Sequence, residues 1–282
     1  VSDRPYATHT PVPGMFRYEN IYFQIVEAPA FMRYAANEKL SNLTLALCRN
    51  ADMLMLMVDL TQDPVEQLRF LLSELDKGRI NVQKSSFKVD IERRPAGTGL
   101  RVIVFGKLHN LAVRDIEQLL RSYGITDGIV KIFGDVILDD VEEAILGGAV
   151  DKPALVIANK IDANGAHEKI DALRAFVGDS IPTVSISCKG SVDLKMLGGE
   201  IFRSLNLIRV YTKEPSEKDP STRPFILRKG VSVQDFARKI HSEFYEKFSY
   251  ARVWAKRLTF SPQKVGSSFF LEDGDIVELH MR

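Results

Sequence analysis

The chain has 282 residues, of which 45% are hydrophobic and 27% are charged, which is ordinary for a soluble globular protein. No apolar run approaches the roughly 20 residues of a membrane helix, so the sequence excludes a membrane-spanning function. Cys48 and Cys188 lie far apart without metal-ligand spacing, which favours reduced thiols in a cytoplasmic protein. The length allows two or three compact units.

The first part of the chain, residues 1–79, alternates between strand-like and helical patterns. In chain order, the pattern predicts strands or helices over residues 14–20, 21–29, 36–49, 52–60 and 63–78. The first two strands meet at Glu19-Asn20, which predicts a β-hairpin. The apolar run 52–60 predicts a strand covered on both faces, and the helix after it begins with Asp63 as its cap.

Residues 80–150 follow a different pattern, which predicts a small α+β unit inserted between two strands of the main sheet. Its predicted strands and helices, in chain order, span residues 87–94, 100–108, 113–124, 128–134 and 138–148. A turn-forming run joins the first two strands, and glycine ends both helices.

The main pattern resumes over residues 151–212. Its predicted strands and helices span residues 154–162, 166–178, 182–187 and 194–207. Strands that alternate with helices pair in parallel, so we expect one doubly wound α/β sheet built from residues 1–79 and 151–212.

A charged, proline-rich linker, residues 213–224, precedes a compact C-terminal unit. We predict a β-grasp-like domain over residues 222–282. Its helix begins with a capping box of Ser232 and Asp235. The helix is expected to continue along one apolar stripe, formed by Phe236, Ile240, Phe244 and Phe248. This unit carries eleven Lys/Arg against seven Asp/Glu, a mild excess that is compatible with an anionic partner.

The central motif is Asn159-Lys160-Ile161-Asp162, at the end of a predicted buried strand. Ligands of open α/β sheets bind at the carboxyl ends of the strands. The Asp162 carboxylate only accepts hydrogen bonds, so it can pair with the two adjacent donors of guanine and leaves adenine unmatched. The Asn159 amide offers both a donor and an acceptor, and the Lys160 stem can lie along the base. The motif therefore predicts a guanine-binding site.

Two further segments fit such a site. Ser187, Cys188 and Lys189 follow the next predicted strand, where backbone N–H groups can meet the guanine carbonyl oxygen; a plain strand-end turn is the alternative. Thr8 lies in the loop before the hairpin, and its hydroxyl can complete the shell of a Mg²⁺ ion that bridges phosphates. The alternative for Thr8 is an ordinary polar loop.

With these motifs, the chain resembles the developmentally regulated GTP-binding proteins, a branch of the Obg-like translational GTPases. The similar segments keep the family's order and include YATHTPVPGMFRY, VIANKID, LNLIRVYTK, YARVWAKR and LEDGDIVEL. The resemblance implies a P-loop-GTPase-like fold with an inserted unit and a C-terminal TGS domain, with GTP or GDP and Mg²⁺ as ligands. The residues that it assigns are Thr8 on Mg²⁺, Asn159, Lys160 and Asp162 on guanine, and Ser187, Cys188 and Lys189 closing over the base.

The family's phosphate loop, Gly-x-x-x-x-Gly-Lys-Ser/Thr, does not occur in these 282 residues. The nearest match has Arg101 in place of the first glycine and Leu108 after Gly106-Lys107. Since the first residue is Val1 rather than Met, we expect that the chain was trimmed upstream and that its sheet lacks the first strand together with this loop. We therefore expect GTP hydrolysis by the intact protein but not by this chain alone.

The family's Asp-x-Pro-Gly switch also differs, because it reads Glu27-Ala28-Pro29-Ala30 here. Glu27 keeps the charge that the resemblance places on Mg²⁺ but has a longer reach. Ala30 lacks the freedom in φ that a glycine gives to a backbone flip. No catalytic residue can be assigned from this altered switch.

In the predicted strand 250–258, the side chains of Tyr250, Arg252, Trp254 and Lys256 share one face. Aromatic and basic side chains can stack on bases and contact phosphates, so Arg252, Trp254 and Lys256 are candidate RNA-binding residues. The alternative is a solvated face on which Trp254 packs against a neighbour. TGS domains of the resembling proteins associate with ribosomes or RNA.

Three functions remain open at this point. The protein is a translation-associated GTPase, or a switch that binds guanine nucleotides with little hydrolysis, or an RNA or ribosome adaptor that needs no nucleotide. A dedicated protein partner would fit any of the three. A phosphate loop upstream of Val1 would favour the first two.

Overall fold

The structure is a computed structural model that describes residues 7–32, 38–82, 87–146, 149–189, 194–215 and 217–282. These residues fall into two compact units. The first unit covers Pro29–Ser185, and the second joins Ala7–Ala28 to Ile186–Arg282. Within these ranges, none of the helices has both the length and the apolar character that crossing a bilayer requires.

The elements of the described residues are numbered in chain order. The first half contains β1 (Val12–Tyr18), β2 (Ile21–Glu27), α1 (Glu38–Asn50), β3 (Leu54–Asp59), α2 (Pro64–Lys77), β4 (Ile80–Asn81), β5 (Phe87–Arg93), β6 (Leu100–Leu108), α3 (Val113–Ser122), β7 (Gly128–Val136) and α4 (Leu138–Ile145). The second half contains β8 (Val150–Asp151), β9 (Ala154–Asn159), α5 (Ala166–Val177), β10 (Thr183–Ile186), α6 (Leu194–Ser204), β11 (Leu207–Thr212), β12 (Phe225–Arg228), α7 (Val233–Ile240), α8 (Ser242–Glu246), β13 (Phe248–Trp254), β14 (Gln263–Val265) and β15 (Asp275–Met281).

The main sheet of the first unit has the strand order β10–β9–β3. β3 and β9 pair in parallel, which confirms the predicted parallel sheet. Residues 154–158 of β9 are all buried, as a central strand requires. The prediction that residues 52–60 are covered on both faces is wrong for β3, because only alternate side chains are buried and Met57 is 57% exposed.

Helices α2 and α5 pack on this sheet through Leu68, Leu75, Ile170 and Leu173, all members of one apolar core. The predicted cap of α2 is confirmed, because the Asp63 carboxylate accepts hydrogen bonds from the first backbone N–H groups of the helix at 2.9 and 3.0 Å. The predicted start of α1 at residue 36 lies outside the described residues, as do the two glycines predicted to end α4.

The inserted unit is closed at its base by the short parallel pair β4 and β8. Its own sheet has the order β5–β7–β6, with β5 antiparallel and β6 parallel to the central β7. Helices α3 and α4 cover one face, where Ile116, Leu120 and Val141 share a core with Val130 and Ile132. This arrangement is the small α+β unit that the sequence predicts.

The second unit contains a five-stranded sheet of order β12–β11–β15–β13–β14 and the hairpin of β1 and β2. The hairpin turns at Glu19-Asn20, as predicted. β11 differs from the expected organisation, because the sequence pattern grouped residues 151–212 with the main sheet. β11 instead pairs with β12 and β15 of the C-terminal sheet, and its Ile208 and Val210 are buried in that sheet's core.

The C-terminal helix also differs from the single stripe predicted. His241 has an extended backbone and separates α7 from α8, and Phe248 already belongs to β13. Phe236, Ile240 and Phe248 reach the same core, but Phe244 is not among its residues. The prediction is therefore correct for Phe236 and Ile240, wrong for Phe244 and wrong about the element that carries Phe248. Ser232 and Asp235 form the predicted capping box.

Candidate functional site

The Asn-Lys-Ile-Asp motif lies where the buried strand β9 meets the loop before α5. Asn159 is the last residue of the strand, and its Oδ1 accepts a hydrogen bond from the backbone N–H of Lys160 at 2.8 Å. Lys160 has a φ of 65°, which residues other than glycine adopt infrequently, so the chain turns sharply here. Ile161 packs against the core, whereas Lys160 and Asp162 are exposed. The turn thus leaves the polar side chains of the motif outside the core.

Asp59 is a site residue to which the sequence pattern assigned no role. It ends β3 directly opposite Asn159, and its Oδ2 lies 2.6 Å from Lys160 Nζ. Its Oδ1 accepts hydrogen bonds from the Thr61 backbone N–H and hydroxyl at 2.8 and 2.7 Å. Partial burial would raise the pKa of Asp59, but the hydrogen bonds from Lys160 and Thr61 outweigh it and lower the pKa below its usual value. Asp59 is therefore ionised at neutral pH.

The loop after β3 is held by further hydrogen bonds. The Gln67 side chain accepts from the Asp59 backbone N–H at 3.0 Å and donates to the Asp59 carbonyl at 3.0 Å and to the Asp63 carbonyl at 3.1 Å. Lys169 Nζ, on α5, donates to the Thr61 carbonyl at 3.0 Å. These contacts fix the backbone beside the motif, so the carboxyl edge of the sheet is preorganised.

Ser187, Cys188 and Lys189 follow β10, the neighbour of β9 in the sheet. The Ser187 hydroxyl accepts a hydrogen bond from the Lys189 backbone N–H at 3.2 Å, and Cys188 and Lys189 are exposed. The structure therefore shows a turn after the strand, and the contact of this turn with guanine stays a prediction. These three residues belong to the second unit, whereas the Asn-Lys-Ile-Asp motif belongs to the first.

Thr8 and Glu27, the two residues predicted to bind Mg²⁺, come together at the open end of the hairpin. The Thr8 hydroxyl donates a hydrogen bond to Glu27 Oε1 at 2.6 Å. Across the described residues, no group of three or more His, Cys, Asp or Glu is arranged to hold a metal. Mg²⁺ in nucleotide sites takes one or two protein oxygens and completes its shell with phosphates and water. The Thr8 hydroxyl and the Glu27 carboxylate could supply these one or two protein oxygens.

Ala30, the third switch position, lies in the first unit on a well-anchored segment. Ala30 itself is exposed, but its neighbours Pro29 and Phe31 are buried. The buried Thr44 hydroxyl donates a hydrogen bond to the Pro29 carbonyl at 2.8 Å, and the Phe31 ring packs in the apolar core. The backbone around Ala30 is thus held from both sides.

The exposed face of the C-terminal sheet combines aromatic and basic side chains. Tyr250, Arg252 and Trp254 alternate along β13 with Ala251 and Val253, which are fully buried. Arg252 and Trp254 therefore lie on the predicted face. The prediction for Lys256 is wrong in its placement, because β13 ends at Trp254 and Lys256 lies in the turn that follows.

Three further residues at this face come from outside β13: Lys264 on β14, His280 on β15 and Lys213 directly after β11. Lys264 Nζ lies 4.0 Å from the centre of the Tyr250 ring, and Lys213 Nζ lies 4.5 Å from the centre of the Trp254 ring. His280 stacks on Tyr250 with ring centres 4.3 Å apart. The pairing of β13 with β14 and β15 places Lys264 and His280 here, and the pairing of β11 with β15 places Lys213.

A buried carboxylate lies beneath the basic side chains of this face. Glu278, 4% exposed, is opposite Arg252 in the sheet and 3.4 Å from its guanidinium. His280 Nε2 also lies 2.5 Å from the same oxygen. Arg257, by contrast, is engaged by Asp275 at 2.8 Å and is not on the face. Glu278 thus holds Arg252 and His280 together on this face.

Two protein-family models match the chain in succession. The model described as the C-terminal region of the MMR_HSR1 domain matches residues 97–207, and the TGS domain matches residues 208–281. Solved structures confirm the fold: a GTP-binding protein from Pyrococcus horikoshii gives a TM-score of 0.55 at 20% identity, covering 99% of this chain and 90% of that chain. The Schizosaccharomyces pombe YchF GTPase gives 0.53 at 17% identity, with the same coverage.

Sequence relatives extend over nearly the whole chain. An uncharacterized GTP-binding protein of Methanocaldococcus jannaschii is 31% identical over 278 residues, which is 97% of this chain and 70% of the relative. Human developmentally-regulated GTP-binding protein 2 is 28% identical over 276 residues, which is 97% of this chain and 74% of the relative. With this coverage and its C-terminal TGS domain, the chain belongs to the family of developmentally regulated GTP-binding proteins.

Proposed function

We propose that the protein is a cytoplasmic, translation-associated GTPase switch that recognises guanine through Asn159, Lys160 and Asp162. The observation that carries this proposal is the position of the motif. It ends a buried parallel strand, where such sheets bind ligands, and its lysine is held by Asp59 on the neighbouring strand. Membership of a family named for GTP binding supports the same ligand.

Guanine presents two adjacent donors and a carbonyl oxygen on one edge. Asp162 supplies the acceptor pair for the donors, and Asn159 supplies an amide to the base edge. Backbone N–H groups of Ser187, Cys188 and Lys189 are the proposed donors to the carbonyl oxygen. Base contacts of this kind give specificity, whereas most of the affinity in GTPase sites comes from phosphates and Mg²⁺.

Thr8 and Glu27 are the proposed protein ligands of Mg²⁺, which would neutralise charge on the phosphates during hydrolysis. Their contact, at 2.6 Å, supports this pairing. The longer Glu27 side chain and the anchored Ala30 both depart from the Asp-x-Pro-Gly switch. We therefore expect slow GTP hydrolysis by a protein that binds both the base and the phosphates of GTP.

The proposed recognition of guanine can be tested directly on this chain. Saturation-transfer NMR at millimolar nucleotide should show contacts to GMP but not to AMP. Asp162→Asn should shift the preference from GMP to XMP, because the amide offers one donor and one acceptor where guanine needs two acceptors. The mismatch should cost about 1–3 kcal/mol. Asp171→Asn, an exposed carboxylate on α5, is the matched control. Equal signals from GMP and AMP would refute guanine recognition.

A second candidate function is an RNA- or ribosome-binding adaptor that needs no nucleotide. The observation that favours it is the face of Arg252, Trp254, Tyr250, Lys213 and Lys264, since stacked aromatics with cations above them suit single-stranded RNA. RNA affinity that is unchanged by GTP and by Asp162→Asn would favour the adaptor. Affinity that changes with nucleotide would favour the switch.

A further inference from the structure

The inserted unit presents one open sheet face. Its two helices cover the face that carries Val130 and Ile132. Because side chains alternate along a strand, Lys131 and Phe133 of β7 and Phe105 of β6 lie on the other face. Phe105 is 58% exposed and Phe133 is 39% exposed. Exposure of two large apolar rings to water costs free energy, and a ligand that covers them would recover it.

The two rings form a preassembled stacked pair. Phe105 and Phe133 are directly opposite each other on neighbouring parallel strands. Their ring centres are 5.0 Å apart, and their planes differ by only 10°. The backbone ladder fixes the spacing of the two side chains and their stacking restricts their rotamers, so less conformational entropy is lost when a flat ligand stacks on them.

The open face carries charges of both signs, but its strand β6 carries only basic ones. On β6, Arg101 and Lys107 share the face of Phe105, and residues 100–108 include no acidic side chain. The acidic residues of α3 and α4 lie on the helices, on the opposite side of the sheet: Asp115, Glu117, Asp139, Asp140, Glu142 and Glu143.

The acidic side chains of the open face itself have cationic neighbours. Glu92 lies 3.9 Å from Lys131 and 3.5 Å from Arg94, and Asp135 lies 3.2 Å from His109. In the ladder, Asp90 is opposite Lys131 and Asp135 is opposite Lys107. The strip along β6 is therefore basic and aromatic, which complements a ligand that is both anionic and aromatic.

We propose that this open face binds single-stranded RNA, with bases stacked on Phe105 and Phe133 and phosphates near Arg101 and Lys107. Unpaired bases offer exposed faces for stacking, which a duplex does not, and sheets with aromatic residues on adjacent strands hold single strands in this way. The site is separate from the guanine motif and from the C-terminal sheet, so it does not depend on the function proposed above.

Fluorescence anisotropy with a labelled oligouridine of about ten nucleotides tests the stacking role. Phe105→Leu keeps an apolar side chain but removes the ring, and it should weaken binding about five-fold or more. Phe105→Tyr keeps the ring and should bind within about two-fold of the original protein. Phe176→Leu, a 38%-exposed ring on α5, is the matched control and should change nothing. Lys107→Gln should flatten the log–log salt dependence by about 0.7 unit.

Crosslinking of a 4-thiouridine oligomer followed by peptide mapping locates the contact. Adducts within residues 100–108 or 128–136 would support the proposal. Adducts confined to residues 208–282 would overturn it, as would equal RNA binding by Phe105→Leu and the original protein. Self-association of the chain that Phe105→Leu abolishes, without any RNA adduct in the inserted unit, would show that the face docks protein instead.

Discussion

Lys160 Nζ lies 2.6 Å from Oδ2 of Asp59, so an ion pair joins the ends of β9 and β3. The two side chains are 50% and 28% exposed, and water screens the pair in part. Its contribution to stability is therefore small. Its consequence for the site is larger, because it fixes the direction of the Lys160 stem at the edge where the base is proposed to bind.

Replacing Asp59 with Asn should lower the free energy of unfolding by about 1 kcal/mol or less at neutral pH. The hydrogen bonds from Lys160 and Thr61 lower the pKa of Asp59 in the folded protein. The folded state thus favours the ionised form. The stabilisation is present above the pKa of the unfolded chain, about 3.9, and is lost as the pH falls through the lower folded pKa.

Urea unfolding at pH 7 and at about pH 2.5 checks this dependence. The difference between the original protein and Asp59→Asn should shrink in acid. Asp171→Asn serves as the control, because Asp171 is 78% exposed and has Arg174 only at 3.9 Å. A difference of the same size at both pH values would show that the effect of Asp59 is not ionic.

The position of the Asn-Lys-Ile-Asp motif at a strand end could be predicted because the motif is contiguous. Its polar residues follow an apolar strand directly, and no residue from elsewhere is needed to recognise them. Asp59 could not be assigned in this way, because its partner Lys160 is 101 residues away. The same holds for Lys213, which reaches the Trp254 ring only because β11 pairs with β15.

The C-terminal helix shows a second limit of sequence periodicity. Phe236, Ile240 and Phe244 fall at helical spacing, and nothing in that spacing marks a break. The break occurs at His241, where the extended backbone lets Nδ1 accept a hydrogen bond from the Glu243 N–H at 3.2 Å. The histidine ring thus caps α8, a role that histidine seldom indicates in a sequence.

We expect residues 1–282 to bind GTP weakly, because they contain no phosphate-loop sequence. Titration calorimetry should give a Kd for GTP well above the micromolar range. GTP and GMP should bind with similar affinity, since the base makes most of the interactions in this chain. Sub-micromolar binding of GTP, or a large preference for GTP over GMP, would reveal phosphate interactions that the sequence does not show.

Gly198 on α6 should not tolerate alanine. A Cβ at this position would lie 2.2 Å from Cδ2 and 2.5 Å from Cγ of the Tyr18 ring on the hairpin. Overpacking of this kind costs about 1–3 kcal/mol, which exceeds the roughly 1 kcal/mol that alanine gains over glycine in a helix. We therefore expect Gly198→Ala to lower the melting temperature.

The adjacent Gly199 provides the control. A Cβ there would meet only the Tyr18 hydroxyl at 3.6 Å, an ordinary contact, so Gly199→Ala should leave stability unchanged or raise it. Equal melting temperatures for the two variants would mean that Tyr18 moves aside at little cost.

Arg209 should not be replaceable by lysine. Its Nε and NH2 donate to the two Asp273 carboxylate oxygens at 3.0 and 2.7 Å, and it also pairs with Glu19 of the hairpin turn. Lysine carries the charge but cannot form the paired hydrogen bonds. Arg209→Lys should lower the free energy of unfolding by about 1–3 kcal/mol.

The matched variant for this change is Arg203→Lys, in which the arginine pairs with Glu200 but is 72% exposed. It should alter the free energy of unfolding by less than about 0.5 kcal/mol. If urea unfolding shows that both variants lose a similar free energy of unfolding, the paired hydrogen bonds from Arg209 to Asp273 do not add to stability.

The exposed face of the TGS domain should bind RNA through two separable contributions. Replacing Arg252 and Lys264 with glutamine should weaken binding and flatten the log–log salt dependence by about 0.7 unit for each phosphate that is no longer neutralised. Trp254→Ala should weaken binding by about 1–3 kcal/mol because the ring no longer stacks on a base, with little change in that slope. Lys256, which lies beyond the strand, should matter less than Lys264.

Melting temperatures measured on the same variants separate this role from simple packing. Trp254 is half-buried beneath Lys213, so its removal costs some stability even if it never touches RNA. A Trp254→Ala protein that melts early but binds RNA normally once folded would assign the ring to packing alone. Weaker RNA binding at a temperature well below the melting temperature of the variant, where it is fully folded, would assign the ring to stacking on a base.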